Sequence, residues 1–238
     1  MPYRLMLGLG APLLWWQGRW VRRTLIQLPE AAGARHGIRH QPGQPELRVL
    51  VLGDSAAAGV GVTTQTEALS GQLAAHLAST HSVHWHCLAT TGLTVAGVLA
   101  ALQDWPAQPL DAVVISAGVN DVTALTPVSR WVRQYRHLLD TLQRQHQPRL
   151  ILCTALPPLQ AFSALPQPLR WTMGQRARHL NRALRQLTTT QPGTHLLEPE
   201  LPLQPSSLAV DGFHPSAQAY QHWARAAALA IRARLRPG

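Results

Sequence analysis

Lysine is absent from this sequence, and all 21 of its basic residues are arginine. No Walker-A lysine, Schiff-base lysine or lysine nucleophile can therefore exist in the chain. Cysteine occurs only at Cys87 and Cys153, which is too few for a disulfide framework or a four-ligand zinc site. Both cysteines lie in apolar runs, so we expect buried free thiols. The cysteine count leaves the cellular compartment open.

Acidic residues are also scarce, since 11 of them against 21 basic ones give a formal net charge of +10. Such a balance raises nucleic acid or an anionic membrane as partners. The arginines are spread over the whole chain and no nucleic-acid-binding module is recognisable, so we expect no nucleic-acid partner. A hydrophobic share of 46% over 238 residues is enough to build one sizeable core.

The N-terminal apolar run, Leu5–Trp16, is short for a membrane span. As a helix it reaches about 18 Å, whereas the hydrocarbon core measures roughly 30 Å. A signal peptide fits this length, but Arg19, Arg22 and Arg23 follow where a small-residue cleavage site is expected. Tryptophan next to arginine favours peripheral membrane contact through residues 3–23. The alternatives are a helix packed on its own domain and a signal or spanning segment. We expect a cytoplasmic protein, peripheral at the inner membrane, with secretion left open.

From Glu46 onward, short apolar runs alternate with helix-length amphipathic stretches, after a link rich in glycine, proline and histidine at 33–45. We predict strands at 47–53, 83–88, 111–117, 149–154 and 194–197, and helices at 66–79, 95–103, 128–145, 169–187 and 216–235. This repeated strand–helix order predicts an α/β fold, a three-layer α/β/α sandwich around a five-stranded parallel, flavodoxin-like sheet.

Polar residues that suit acyl transfer follow the predicted strands, at the sheet edge where such folds bind ligands. Ser55 follows the first strand and needs a base to become a nucleophile. His214 can serve as that base, and Asp211 can accept from its Nδ1–H. The N–H groups of Ser55 and Gly92 and the Asn120 amide can donate to an oxyanion. Each residue alone also fits a helix cap, a tight turn or a surface loop, but their order along the chain favours catalysis.

Four sequence blocks carry a family resemblance: Gly53-Asp54-Ser55-Ala-Ala-Ala-Gly59, Gly92, Gly118-Val-Asn120-Asp121 and Asp211-Gly-Phe-His214-Pro215. In this order they resemble the SGNH hydrolases, also called the GDSL lipase/esterase family. The resemblance implies Ser55, Asp211 and His214 as catalytic residues, with Ser55, Gly92 and Asn120 as the oxyanion hole. It also implies a hydrolase domain at 46–238 after an N-terminal helix and link at 1–45. The family's usual leucine after the serine is Ala56 here.

The resemblance implies a serine hydrolase that cleaves carboxylic esters or thioesters of a small-molecule acyl substrate through an acyl-enzyme. No metal or cofactor is required by this chemistry. The alternatives are an acyltransferase to a small acceptor and a non-catalytic, membrane-tethered lipid-binding module. Leu156-Pro-Pro and the segment 165–171 resemble a bacterial branch associated with long-chain N-acyl amino acid synthesis. The oligomeric state stays open.

Three further features are open to two interpretations each. Residues 155–171 are apolar and proline-rich, so they either wall an acyl groove or form a long connection over the core. A cluster of His81, His84, His86 and Cys87 is either a metal site or part of a half-exposed edge strand. For Asp54 and Asp121 we predict structural hydrogen bonds to backbone N–H groups in preference to catalysis.

Overall fold

A six-stranded sheet forms the centre of the protein, as seen in a computed structural model that describes residue 8 and residues 10–199 and 204–235. The strands are β1 His36–Arg39, β2 Glu46–Gly53, β3 Ser82–Ala89, β4 Ala112–Ser116, β5 Leu150–Thr154 and β6 Thr194–Leu197. Their order in the sheet is β1-β3-β2-β4-β5-β6. Strands β2 to β6 pair in parallel, in the flavodoxin-like order that was predicted.

Helices cover both faces of this sheet. They are α1 Ala11–Thr24, α2 Leu69–Leu77, α3 Val95–Gln103, α4 Val119–Thr123, α5 Val128–His146, α6 Leu169–Thr190 and α7 Ala217–Arg234. Successive side chains of a strand point to opposite faces, so β2 contributes to two apolar clusters. Leu50 and Leu52 pack with α3, α5 and α6, whereas Val49 and Val51 pack with α2 and α7. The predicted three-layer α/β/α sandwich is confirmed.

The segment 33–45 differs from the plain link that the sequence predicts, because it contains β1. This strand pairs antiparallel with β3, in a register that places His36 opposite His86. Its four residues are exposed or half-buried, so they lack the apolar alternation by which a strand is recognised. The pairing covers backbone groups of β3 that an open sheet edge would expose. Strand β3 is therefore an inner strand and not the edge strand of the second interpretation given for the histidine cluster, and the sheet has six strands where five were predicted.

Helix α1 lies against the helical layer that contains α6 and is buried along one side, at Leu14, Gln17 and Val21. The N-terminal part of the predicted apolar run, including Leu5 and Leu7, lies outside the described residues. Among the helices that the structure describes, none combines the length and apolarity that crossing a bilayer needs.

Candidate active site

A tight turn after β2 presents Ser55 at the carboxyl edge of the sheet. Only glycine fits at position 53, because a Cβ on Gly53 would lie 2.0 Å from the Ser116 carbonyl oxygen. The Tyr220 hydroxyl, on α7, lies 2.9 Å from the Ala56 carbonyl oxygen and 2.7 Å from that of Val60. The turn is thus fixed from the sheet on one side and from α7 on the other.

His214 connects Ser55 to Asp211. Its Nε2 lies 3.0 Å from the Ser55 hydroxyl oxygen, and its Nδ1 lies 2.6 Å from Oδ2 of Asp211. Oδ1 of Asp211 accepts the backbone N–H groups of Phe213 and His214, both at 3.0 Å. An acceptor at Nδ1 selects the tautomer with its lone pair on Nε2, which is the form that can take the Ser55 proton.

The carboxylate of Asp211 is held in its charged form. Burial raises the pKa of Asp211, but hydrogen bonds from the His214 side chain and from the backbone of His214 and Phe213 outweigh it, so the pKa lies below its ordinary value. The Asp211 side chain has no exposed surface, and a buried carboxylate with three donors is strongly stabilised in its ionised state. The site can therefore hold an imidazolium that forms during proton transfer.

The predicted oxyanion donors lie at the ends of neighbouring strands. Gly92 follows β3, Ser55 follows β2, and Asn120 lies in α4 shortly after β4. Within the described part of the chain, the N–H groups of Ser55 and Gly92 have no hydrogen-bond acceptor. The Asn120 amide donates to the Leu93 carbonyl oxygen at 2.9 Å, which leaves its second hydrogen available. Unpaired N–H donors at this edge are of the kind that stabilises an oxyanion, and the assignment of all three to one oxyanion hole stays a prediction.

Glu30 fixes the loop that carries Gly92, and sequence reasoning missed it. Its Oε1 accepts the Thr91 N–H at 2.6 Å, and its Oε2 pairs with the Arg35 guanidinium. Arg35 in turn donates to the Ala89 carbonyl oxygen at the end of β3. Partial burial raises the pKa of Glu30, but the bonds from Thr91 and Arg35 lower it below its usual value. No motif marks Glu30, so the sequence carries no signal for this contact.

Two buried carboxyl groups support neighbouring backbone, as predicted. Oδ1 of Asp54 accepts the Ala56 N–H at 3.2 Å, and Oδ2 of Asp121 accepts the Val95 N–H at 2.9 Å, at the start of α3. Burial raises the pKa of Asp54 to about 7, against the lowering effects of the Ala56 bond and of His214. Burial likewise raises the pKa of Asp121.

Comparison with known proteins identifies the family. The GDSL-like Lipase/Acylhydrolase family matches residues 51–222, which is more than half of the chain. The chain belongs to this family. A GDSL-like esterase of Mycobacterium tuberculosis is 29% identical over 198 residues, which cover 79% of this chain and 62% of that relative. The chain thus spans less than two thirds of that relative's length.

Solved structures share the fold of this GDSL-family chain at low sequence identity. A lipolytic G-D-S-L protein of Veillonella parvula superposes with a TM-score of 0.61 at 15% identity, over 79% of this chain and 100% of its own. A carbohydrate acetylesterase of Sinorhizobium meliloti gives 0.57 at 18% identity, over 79% and 99%. At these identities the likeness concerns the fold alone. It leaves the N-acyl amino acid branch a prediction.

A cavity of about 590 Å³ opens beside Ser55 and His214 in this GDSL-family chain. Its apolar walls come mainly from the segment after β5, with Leu156, Pro157, Pro158 and Phe162. Two aromatic residues from later in the chain, Phe213 and Trp223, complete them. Phe162 meets Phe213 edge-to-face with ring centroids 5.1 Å apart. Of the predicted wall at 155–171, residues 155–158 and 161–163 line the cavity, whereas Leu165 packs in the core.

The two cysteines and the histidine cluster that the sequence analysis singled out have structural surroundings that explain them. Cys87 and Cys153 are buried free thiols, as predicted, and burial raises their pKa to about 11 and about 12. Of the predicted histidine cluster, His86 on β3 stacks on His36 of β1 with ring centroids 5.9 Å apart and lies edge-on to Trp105, which follows α3. The residues that the structure describes hold no group of three metal-ligating side chains.

Proposed function

We propose that this protein is a serine esterase that cleaves carboxylic esters or thioesters through an acyl-enzyme. The single observation that carries the proposal is the contact between Nε2 of His214 and the Ser55 hydroxyl at 3.0 Å. A serine hydroxyl is a weak nucleophile until a positioned base removes its proton. Family membership and the charged Asp211 behind His214 both support this role.

The reaction runs in two halves. His214 takes the Ser55 proton as Oγ attacks the ester carbonyl carbon, and the carbonyl oxygen becomes an oxyanion among the N–H groups of Ser55 and Gly92 and the Asn120 amide. The imidazolium then gives its proton to the leaving alcohol or thiol, and the acyl group stays on Oγ as an ester. His214 then deprotonates a water molecule that attacks this ester, and the imidazolium returns the proton to Oγ as the acid leaves, which restores Ser55 and neutral His214.

The substrate is proposed to carry an apolar acyl group. Pro157, Phe162 and Trp223 line the cavity next to Ser55, and apolar walls of this kind bind aliphatic or aromatic groups through the hydrophobic effect. A cavity of about 590 Å³ is within the range of pockets for small ligands. The acyl group occupies this cavity while the leaving group faces the open side of the site.

The experiment that tests this proposal combines turnover with active-site labelling. We expect the wild type to hydrolyse p-nitrophenyl esters between acetate and laurate, with a maximum that reports the length of the acyl cavity. A fluorophosphonate probe should add to Ser55, as located by peptide mass spectrometry. Ser55→Ala should lose both turnover and label, whereas Ser129→Ala, an exposed serine on α5, should keep both. Activity retained by Ser55→Ala overturns the proposal.

The same turnover and labelling assays distinguish the two alternatives, acyl transfer and simple lipid binding. If an added amine or alcohol captures the acyl group faster than water does, the protein is an acyltransferase that uses the same Ser55 ester. If the protein takes no label and turns over nothing while it binds lipid, the non-catalytic alternative replaces the proposal. The paired Asp211 and His214 argue against that alternative, because binding alone needs no proton transfer.

A further inference from the structure

Exposed apolar side chains are concentrated on one side of α1. Trp15, Trp16 and Trp20 are 64%, 58% and 46% exposed, next to the exposed Leu13. The other five tryptophans of the chain are buried or half-buried. A large exposed apolar patch marks a surface that meets a partner or a membrane. We call this side, with Leu13, the three tryptophans, Arg19, Arg22 and Arg23, the outer face of α1.

The opposite side of α1 fastens the helix to the protein. Leu14 and Val21 pack in the core cluster of α6. Between them, the buried Gln17 donates to the Gln167 carbonyl oxygen at 2.7 Å and accepts the Leu169 N–H at 3.1 Å. A buried amide with both ends satisfied by backbone fixes the rotation of the helix about its axis. The outer face is therefore turned away from the rest of the protein by the packing of α1 itself.

The charge of this face is uniformly positive. Arg19, Arg22 and Arg23 are exposed, and no acidic residue occurs in the chain before Glu30. The Arg19 guanidinium lies over the Trp15 ring, 5.0 Å from its centroid. Indoles favour the headgroup level of a bilayer, and arginines next to them attract anionic lipid phosphates.

We propose that the outer face of α1 docks on an anionic phospholipid bilayer, with the helix lying in the plane of the interface. Its 14 described residues reach about 21 Å as a helix, a length that suits a helix lying on the surface. If the partner were instead an apolar groove on a soluble protein, the three arginines would be buried without acidic partners. Burying unpaired charges costs free energy. Lipid phosphates accept those arginines while the indoles remain between headgroups and acyl chains.

Helix α1 is anchored to the chain segment that leads away from the cavity wall. Gln167 and Leu169, which Gln17 holds, end the stretch that begins at the cavity wall with Leu156 and Pro157. A bilayer docked on α1 would then be a source of acyl ester substrate close to the segment that leads to the cavity. This last step rests on the proposed function, whereas the docking itself does not.

The test measures vesicle binding by the full chain, apart from any activity. We expect the protein to float with vesicles of phosphatidylcholine and phosphatidylglycerol at about three to one, and to bind pure phosphatidylcholine at least tenfold more weakly. Binding should fall as NaCl rises from about 50 mM to about 500 mM. Ser55→Ala should bind as the wild type does, so a failure of the esterase proposal leaves this result unaffected.

Two matched sets of substitutions decide whether the face is specific. Arg19→Gln, Arg22→Gln and Arg23→Gln together should weaken binding to the anionic vesicles at least tenfold. The control set removes the same charge from exposed positions of α5, as Arg130→Gln, Arg133→Gln and Arg136→Gln together. It should change binding to the anionic vesicles less than twofold. A third variant combines Trp15→Ala, Trp16→Ala and Trp20→Ala, and it should also bind the anionic vesicles at least tenfold more weakly. The melting temperature of each variant is measured as a check on folding.

Three outcomes would overturn the proposal. Equal losses in the two arginine sets would mean that net charge alone attracts the vesicles. No flotation by a folded wild type would exclude the bilayer as partner. A dimer in light scattering that becomes a monomer in the tryptophan variant, without vesicle binding, would identify a second copy of the chain as the occupant.

Discussion

Among single residues, Asn120 offers the most direct test of oxyanion stabilisation. Its amide is held by the bond to the Leu93 carbonyl oxygen, so the second amide hydrogen has a fixed direction. Asn120→Ala removes this donor while Ser55, His214 and Asp211 stay in place. We expect kcat to fall by about 10²–10³ with little change in KM, because the donor acts mainly on the charge that develops in the transition state.

The control for Asn120 lies on the same short helix. Thr123 is exposed and its hydroxyl donates to the Asn120 carbonyl oxygen, so Thr123→Ala changes α4 without removing the amide. It should keep kcat within about twofold. A similar loss in both variants would assign the effect to the helix and remove Asn120 from the oxyanion hole.

Single residues also show which parts of the site the sequence can predict. Ser55, His214 and Asp211 were predicted together because nucleophile, base and acceptor must be of fixed types, each after a particular element, and the structure brings their side chains into contact. Their catalytic roles stay predictions until they are tested. Glu30 could not be predicted, since it acts through the backbone of Thr91 and any acceptor of that reach would serve.

At the level of elements, the loop after β3 depends on the segment that precedes β1. Glu30→Gln keeps an oxygen for the Thr91 N–H but loses the charge that pairs with Arg35. We expect kcat to fall about tenfold with KM nearly unchanged, because charge-assisted bonds hold the loop more firmly than neutral ones. Kinetics on a chromogenic ester measure this split.

A matched variant separates positioning from general electrostatics. Glu46→Gln removes a carboxylate from an exposed ion pair with Arg48, far from the loop in sequence, and should leave kcat unchanged. Rescue of part of the activity by Glu30→Asp would support a positioning role for the carboxylate. Equal effects of Glu30→Gln and Glu46→Gln would contradict it.

Helix α7 holds the Ser55 turn through one hydroxyl. Tyr220→Phe deletes the group that lies between the carbonyl oxygens of Ala56 and Val60 and leaves them without this partner. We expect the free energy of unfolding to fall by about 1–3 kcal/mol, and kcat to fall because Ser55 is held less firmly. Tyr135→Phe, equally buried but on α5, removes a hydroxyl that makes no hydrogen bond to the Ser55 turn and should leave kcat unchanged. A lower kcat for Tyr135→Phe alone would reverse the assignment.

The elements also differ in how readily the sequence predicts them. Helix α3 was predicted with its observed bounds, because Val95, Val98, Leu99 and Leu102 repeat at the helical period and all lie in the core. Strand β1 was missed because its pairing with β3 is made by backbone groups, which no side-chain pattern records. The short helix α4 was missed because five residues are too few to show a period.

Across the whole molecule, the buried carboxyl of Asp54 makes stability depend on pH. Burial raises its pKa from an ordinary 3.8 to about 7, so between these values the folded protein keeps a proton that the unfolded chain has lost. The free energy of unfolding therefore falls as the pH rises through this window. Asp211 acts oppositely, since its lowered pKa favours the folded state above the ordinary aspartate range, and it stays charged throughout this window.

Replacing Asp54 by an uncharged side chain of the same shape should remove this dependence. Asn at this position still offers an oxygen to the Ala56 N–H but has no proton to lose. Relative to the wild type, Asp54→Asn should gain about 3 kcal/mol of stability as the pH rises from about 5 to about 8. Urea unfolding at intervals across this range measures the difference. If the two proteins lose stability in parallel as the pH rises, the carboxyl of Asp54 is already ionised at about pH 5 and its burial does not control the folding equilibrium.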